Sequence, residues 1–379
     1  MWSIFLINFF LLFAGLERVH SKPSLQFVFV TTRGGEHEPC NYPGGPLFKD
    51  LKINETQSHL TEAGKKTAYD LGQKLSEIYK KELGIKDWNE NNYWSFAGNA
   101  IRNQEAAIIL GDSLQNKKYE KEKQWTQKEL SDVQFPSIDY YFKFLNKNEC
   151  PAIWSEFQRE MKDVSKRFSD SYKSSINEVE QKYEEIDKSN PAHIWITYET
   201  FQRLKHSNKK PEWWTDDIES NLKANSENFL HEALTKSEKL TRLSGGPILT
   251  DILKDIDEIR VGKGQPVSNI KKGVSVFTTS QSVLAAQLAA FSPRGTKFGN
   301  EEITDEMFYP DIGATHILEL YKEVDKWRVK MMYRNGENKK YETIKLPDCE
   351  DMCPLKKFKE ILNKYKLTKK EQKKQCKTD

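Results

Sequence analysis

The sequence lacks a second apolar run comparable to the one with which it begins. Residues 1–16 are almost wholly apolar, and Val19-His20-Ser21 provide acceptable residues before a cleavage site. This pattern predicts a signal peptide over residues 1–21, although no Lys or Arg precedes the apolar run. An N-terminal anchor helix is the alternative, but so short a run spans a bilayer poorly. We therefore expect a secreted, extracellular protein without stable membrane insertion.

The chain also lacks an excess of charge of one sign. Its 379 residues include 59 Lys and Arg against 56 Asp and Glu, which gives a net charge of +3. Such a balance produces no global field that would attract nucleic acid. The stretch from Lys356 to Lys377 is basic, and we interpret it as a solvated face, with a heparin-like or membrane-surface role as the alternative. We expect no nucleic-acid partner.

Cysteine is scarce, and its number is odd. The five residues fit an oxidising compartment and leave one thiol over when the others pair. Asn54-Glu55-Thr56 is the one clear glycosylation sequon, so Asn54 is the predicted glycosylation site. No pattern of side chains suggests a metal or a cofactor, and we expect neither.

A central segment differs from the rest in composition. Between about Gly111 and Leu243 the chain is rich in Lys, Glu, Ser and aromatic residues and poor in glycine. Apolar residues from Phe157 to Ile186 recur at steps of three and four, which predicts one amphipathic helix of about thirty residues. We interpret residues 111–243 as a helical cap inserted into a core made of residues 22–110 and 244–379. The cap would cover the edge of the sheet where open α/β folds place their ligands.

A motif follows the first apolar strand of the core. After Gln26 to Val30 comes Thr32-Arg33-Gly34-Gly35-Glu36-His37-Glu38-Pro39, which resembles the Arg-His-Gly-x-Arg-x-Pro signature of the histidine acid phosphatases, in their prostatic and lysosomal branch. Gly34 stands where that family carries the histidine that accepts the phosphoryl group. Glycine has no side chain that could attack phosphorus, so the resemblance implies that the covalent route is closed.

The second half of the family's chemistry is altered too. The His-Asp pair that follows a strand and opens a helix matches the end of Val274 to Ser282, where the two positions read Ser280 and Gln281. In the family the aspartate protonates the leaving alcohol, and a glutamine amide cannot do this. The resemblance therefore implies a catalytically inactive relative.

Part of the phosphate-binding set survives. Arg33 and Arg102 match two phosphate-binding arginines of the family, whereas the arginine inside the signature is replaced by His37. Glu36 and Glu38 add negative charge beside them. Because fixed positive charge holds the phosphate dianion, this set still tolerates a monoanion but is no longer tuned for phosphate.

The resemblance extends over the whole mature chain. Landmarks occur in the family's order in the segments beginning at Leu60, Pro211, Gly245, Glu319, Met332 and Leu346. It implies an α/β fold, a Rossmann-like central sheet flanked by helices with a smaller inserted all-helical cap, as in the histidine phosphatase superfamily. It also implies two disulfides, Cys349–Cys353 and Cys150–Cys376, and leaves Cys40 over. A third family disulfide is absent, and its two positions read Arg203 and Thr315.

The changed residues suggest binding without catalysis. An inactive secreted member of this family resembles the salivary acid-phosphatase-like proteins of fleas, which implies sequestration of host biogenic amines such as serotonin and of leukotrienes. Glu36 and Glu38 suit a protonated amine, and Arg33 and Arg102 suit the acidic end of an eicosanoid. Phe144, Trp195 and Tyr198 are aromatic candidates for the cleft, with core packing as the equal alternative for each. We therefore expect a ligand site made of Arg33, Gly34, Glu36, His37, Glu38, Arg102, Phe144, Trp195, Tyr198, Ser280 and Gln281.

Two other functions remain as alternatives. The protein could keep residual or altered hydrolytic activity with His37 as nucleophile, although His37 lies three residues past the usual position and the proton donor is missing. It could instead be an interaction or surface protein with a vestigial cleft.

Overall fold

The computed structural model describes residues 22–41, 57–118, 125, 130, 150–171, 177, 179–181, 191–262 and 272–377. The predicted signal peptide, the Asn54 sequon and Phe144 lie outside these ranges. Among the residues described, no helix is both long enough and apolar enough to cross a membrane.

The described part of the chain alternates strands and helices. Its strands are β1 (Ser24–Arg33), β2 (Tyr93–Ala97), β3 (Gly273–Thr279), β4 (Lys297–Phe298), β5 (Glu301–Glu302), β6 (Thr315–Glu323), β7 (Lys326–Arg334), β8 (Glu342–Lys345) and β9 (Cys353–Pro354). Its helices are α1 (Glu62–Glu82), α2 (Ile101–Leu114), α3 (Pro151–Ser171), α4 (Pro191–His206), α5 (Asp216–Thr235), α6 (Glu238–Val261), α7 (Gln281–Phe291), α8 (Leu355–Leu362) and α9 (Lys369–Gln375).

All the strands join one mixed sheet. The order is β2-β3-β1-β6-β7-β8-β4-β5, and β9 pairs with β7. Strands β2, β3 and β1 run parallel, with Arg33 opposite Thr279 and Ala97 opposite Thr278. Strands β6, β7 and β8 continue the sheet in antiparallel order. Because β1, β2 and β3 are parallel, the loops that follow them leave from the same edge of the sheet.

Alternation along β1 places helices on both faces of the sheet. Val28 and Val30 pack in a core cluster with α1 and α2, whereas Phe27 and Phe29 pack in another with α6 and α7. A strand that is covered on both faces reads as a continuous apolar run, as β1 does. The expected α/β fold, with a central sheet between two helical layers, is therefore confirmed.

The helices between α2 and α6 have a core of their own. Phe157 and Met161 of α3 pack with Trp195 and Phe201 of α4 and Phe229 of α5. The predicted thirty-residue helix is described as α3 up to Ser171, and its remainder is only partly within the described residues. Both predicted cap boundaries fall inside helices, α2 and α6, so the division into core and cap stays a prediction.

Both expected disulfides are confirmed. Cys150, just before α3, is bonded to Cys376 at the end of α9, and Cys349 is bonded to Cys353. Cys40 is buried and belongs to neither bond. The first bond ties the predicted cap to the C-terminal helix across a sequence separation of 226 residues.

Candidate functional site

The ends of β1 and β3 bring two predicted site segments together. The Gly34 amide donates to the carbonyl of Thr279 at 3.3 Å, so Gly34 lies beside the start of α7, which Ser280 and Gln281 form. The Gly98 amide after β2 donates to Thr278 at 2.9 Å. Arg102 follows in the first turn of α2. Positions far apart in sequence thus meet at the carboxyl edge of the parallel strands.

Gly34 and Gly35 in this loop differ in the space available for a side chain. A Cβ at Gly35 would lie 2.2 Å from the Gly64 carbonyl oxygen, because the loop crosses the first turn of α1 at close range. A Cβ at Gly34 would meet nothing nearer than Asn103 Oδ1 at 3.4 Å. The backbone therefore requires glycine at residue 35 and accepts a side chain at residue 34.

Arg33 is buried, and its guanidinium has internal partners. Nη2 donates to Glu199 Oε2 at 2.6 Å, and Nη1 donates to the Pro310 carbonyl at 2.5 Å. The side chains of Arg33 and Glu199 are 6% and 4% exposed. The guanidinium that matches a phosphate-binding arginine is thus paired with a carboxylate of the same chain.

Glu199 is the central acceptor of this cluster, and sequence reasoning missed it. Its carboxylate also accepts from Tyr309 and from Arg203 Nη2, the latter at 3.4 Å. Burial raises the pKa of Glu199, but the charges of Arg33 and Arg203 and the hydrogen bonds of Tyr309 and Arg33 outweigh it and bring the pKa to about 2. Glu199 is therefore ionised at any physiological pH.

Gln281 and Glu199 are chemically matched. Gln281 Nε2 donates to Glu199 Oε1 at 3.1 Å and to the Pro310 carbonyl at 3.0 Å, and its Oε1 accepts from Trp195 Nε1 at 2.7 Å. An aspartate at residue 281 would replace two donated hydrogen bonds by repulsion between two buried carboxylates. The structure thus brings Arg33, Gln281 and Trp195 together, as the sequence predicted, but around a glutamate that it did not predict.

Three arginines surround His37. Burial lowers the pKa of His37 well below its usual value, and the charges of Arg102, Arg203 and Arg33 lower it further. Its Nδ1 lies 2.9 Å from the Glu38 carbonyl oxygen and 3.0 Å from Ser58 Oγ. His37 is therefore neutral at physiological pH.

Arg203 is the second residue of this cluster that sequence reasoning missed. It comes from α4, and its side chain is 2% exposed. A signal was present in the sequence, since Glu199 and Arg203 are an acid and a base one turn apart in a helix otherwise rich in apolar residues. A buried pair of this kind, with the pKa of Glu199 strongly lowered, is a candidate for a functional site as well as for a structural ion pair.

The remaining predicted residues lie around this cluster. Glu36 Oε1 accepts from Thr61 Oγ1 at 2.8 Å, and its Oε2 lies 4.0 Å from His206 Nε2 at the end of α4. Glu38 Oε2 lies 3.5 Å from the His59 amide nitrogen. Ser280 is half-buried, with its Oγ 3.3 Å from Ser282 Oγ. Tyr198 is buried beside Tyr309, with ring centroids 5.9 Å apart.

Comparison with known proteins agrees with this fold. The chain belongs to the histidine phosphatase superfamily (branch 2), which it matches over residues 24–341. The solved phytase of Citrobacter braakii shares the fold, with a TM-score of 0.61 and 12% identity over 94% of this chain and 100% of that one.

The sequence relatives lie within the same superfamily. The chain is 38% identical over 369 residues to the acid phosphatase-like protein XcAP-1 of Xenopsylla cheopis, covering 96% of this chain and 98% of that protein. Identity to human prostatic acid phosphatase is 23% over 374 residues, 93% of this chain and 88% of the relative. The resemblance on which the predictions rest is thus confirmed at the level of the family.

Proposed function

We propose that this protein is a secreted, catalytically inactive acid-phosphatase-like protein that binds small host mediators, biogenic amines such as serotonin and leukotrienes, in the cleft at the carboxyl edge of its sheet. The observation that carries the proposal is the buried pair of Arg33 and Glu199. Glu199 forms an ion pair with the Arg33 guanidinium that a phosphate ester would need as its partner, so the site favours a different ligand.

Loss of catalysis is supported by the two changed positions and their surroundings. Gly34 offers no nucleophile, and Gln281 offers no acidic proton. His37, the alternative nucleophile, is buried and has its Nδ1 against the Glu38 carbonyl and Ser58. A histidine restored at residue 34 would still lack a proton donor, because residue 281 remains glutamine. Arg33 would also remain paired with Glu199.

Phosphatase activity is tested by turnover of p-nitrophenyl phosphate at acid pH. We expect no turnover by the purified protein, by Gly34→His, or by Gly34→His combined with Ser280→His, because Gln281 remains in both variants. Steady turnover by the unmodified protein that disappears in His37→Ala would refute the proposal of inactivity.

Binding of two ligand classes is supported by charges of both signs at the cleft. Arg102 and Arg203 provide positive charge around His37. Glu36 provides a carboxylate that is 17% exposed, near the end of α4. An eicosanoid carboxylate fits the first group, and a protonated amine fits the second.

The two classes should respond oppositely to neutralising substitutions. Arg102→Gln should weaken binding of a cysteinyl leukotriene by about 1.5 to 3 kcal/mol and scarcely affect binding of serotonin. Glu36→Gln should weaken binding of serotonin and scarcely affect binding of the leukotriene. Arg33 is a poor probe, since its removal leaves Glu199 without its nearest positively charged partner. Calorimetric titration of the two variants decides the matter, and unchanged affinity for both ligands in both variants would favour a vestigial cleft.

A further inference from the structure

Arg203 carries hydrogen-bond donors that the described structure leaves unused. Its Nε and Nη1 are buried and have no hydrogen-bond partner among the described residues. Nη2 alone is engaged, by Glu199 Oε2 at 3.4 Å. Since Nε carries one N–H and Nη1 carries two, at least three of the five N–H groups lack an acceptor.

A buried guanidinium in this state is unusual. Buried polar groups are nearly always hydrogen-bonded, and an unpaired one is costly, above all when it is charged. Glu199 does not supply the missing acceptors. Its Oε2 lies 2.6 Å from Arg33 Nη2 but 3.4 Å from Arg203 Nη2, so it binds Arg33 more closely. One carboxylate therefore serves two guanidinium groups, and Arg203 is the less well served.

The unused donors lie on the guanidinium that shares Glu199 with Arg33. The charge of Arg203 acts on His37 together with those of Arg102 and Arg33, so all three guanidinium groups lie around that ring. Arg203 lies on α4, whose Tyr198 and Phe201 belong to the aromatic core of the predicted cap. A positive group with free donors beside apolar rings suits an anion attached to an apolar body.

We propose that Nε and Nη1 of Arg203 bind the carboxylate of an apolar organic monoanion, such as the acidic end of an eicosanoid. This inference rests on the proposed function and assigns the anionic end of the ligand to one residue. A phosphate dianion is disfavoured, because Glu199 keeps its negative charge next to the same guanidinium. A monoanion meets less of that repulsion.

The first test removes the donors and compares two forms of one probe. A monocarboxylate leukotriene and its methyl ester are titrated calorimetrically into the unmodified protein, Arg203→Gln, and the matched control Arg260→Gln on the outer face of α6. Arg203→Gln should weaken binding of the free acid on the order of ten- to a hundredfold and leave the affinity for the methyl ester unchanged. Arg260→Gln should change neither by more than about twofold.

A second variant keeps the test decisive if Arg203→Gln fails to fold. Glu199→Gln retains the shape of the side chain and removes the competing charge, so the free acid should bind on the order of tenfold more tightly and the methyl ester should not. Free-acid affinity that is unaffected by both variants would overturn this inference and leave the proposed function standing. If the unmodified protein binds no amine and no leukotriene, the proposed function itself fails.

Discussion

The carboxylate of Glu199 accepts hydrogen bonds from four separate parts of the chain. Arg33 ends β1, Arg203 lies on α4, Gln281 opens α7, and Tyr309 precedes β6. This arrangement joins β1, the start of α7 and the segment before β6 to α4, which carries Trp195 and Tyr198. At the scale of single residues, Glu199 is therefore the acceptor that holds this cluster together, and in the proposed function it is the group that disfavours a phosphate ester.

Removing this carboxylate should be costly. Glu199→Ala leaves the buried charges of Arg33 and Arg203 uncompensated, and we expect a loss of about 3 to 5 kcal/mol in the free energy of unfolding. The exposed Glu302→Ala on β5 is the control and should change it by less than about 0.5 kcal/mol. Urea unfolding measures both, and equal small effects would contradict the role assigned to Glu199.

The same residue predicts an acid-dependent loss of stability. The pKa of Glu199 is lowered from 4.5 to about 2 in the folded state, so its contribution is present above pH 4.5 and is lost as the pH falls towards 2. The free energies of unfolding of the unmodified protein and of Glu199→Gln should therefore converge as the solution is acidified through this window. A constant difference between the two across the window would contradict the assignment.

Two adjacent glycines provide a matched pair. Gly35→Ala would place a methyl group 2.2 Å from the Gly64 carbonyl oxygen and should destabilise the fold by about 1 to 3 kcal/mol or more. Gly34→Ala meets its nearest atom at 3.4 Å and should change stability by less than about 1 kcal/mol. Thermal unfolding compares them, and the reverse order would mean that the loop runs differently past α1.

Among the elements, the two disulfides should contribute unequally. Cys150–Cys376 closes a separation of 226 residues, and Cys349–Cys353 closes one of four. Because closing a longer loop restricts the unfolded chain more, Cys150→Ser with Cys376→Ser should cost about 2 to 5 kcal/mol and the other double variant less. Denaturant unfolding under non-reducing conditions decides this, and equal losses would argue against an entropic origin.

The elements also show how far the sequence alone could lead. An apolar run predicted β1, and the resemblance to the family implied β3, the fold, the two disulfides and a common site for Arg33 and Gln281. Glu199 was missed because it reaches Arg33 across 166 residues, and Tyr309 because it reaches Glu199 across 110 residues. The spacing of Glu199 and Arg203 marks a charged pair in the sequence, but it does not reveal these distant partners. In the sequence, Arg203 was interpreted only as a position where the family carries a disulfide cysteine.

For the whole molecule, the fold of the histidine phosphatase superfamily carries a buried ion pair at the carboxyl edge of its parallel strands. The loops after these strands leave from one edge, where Glu199 of α4 pairs with Arg33 at the end of β1. We interpret this as a site that holds a ligand instead of transforming it.

Calorimetric titration of the purified protein with serotonin and with a cysteinyl leukotriene tests this account most directly. Saturable binding of at least one of them, with the ligand recovered chemically unchanged, is the expected result. Absence of binding heat for every amine and leukotriene tried would contradict the account.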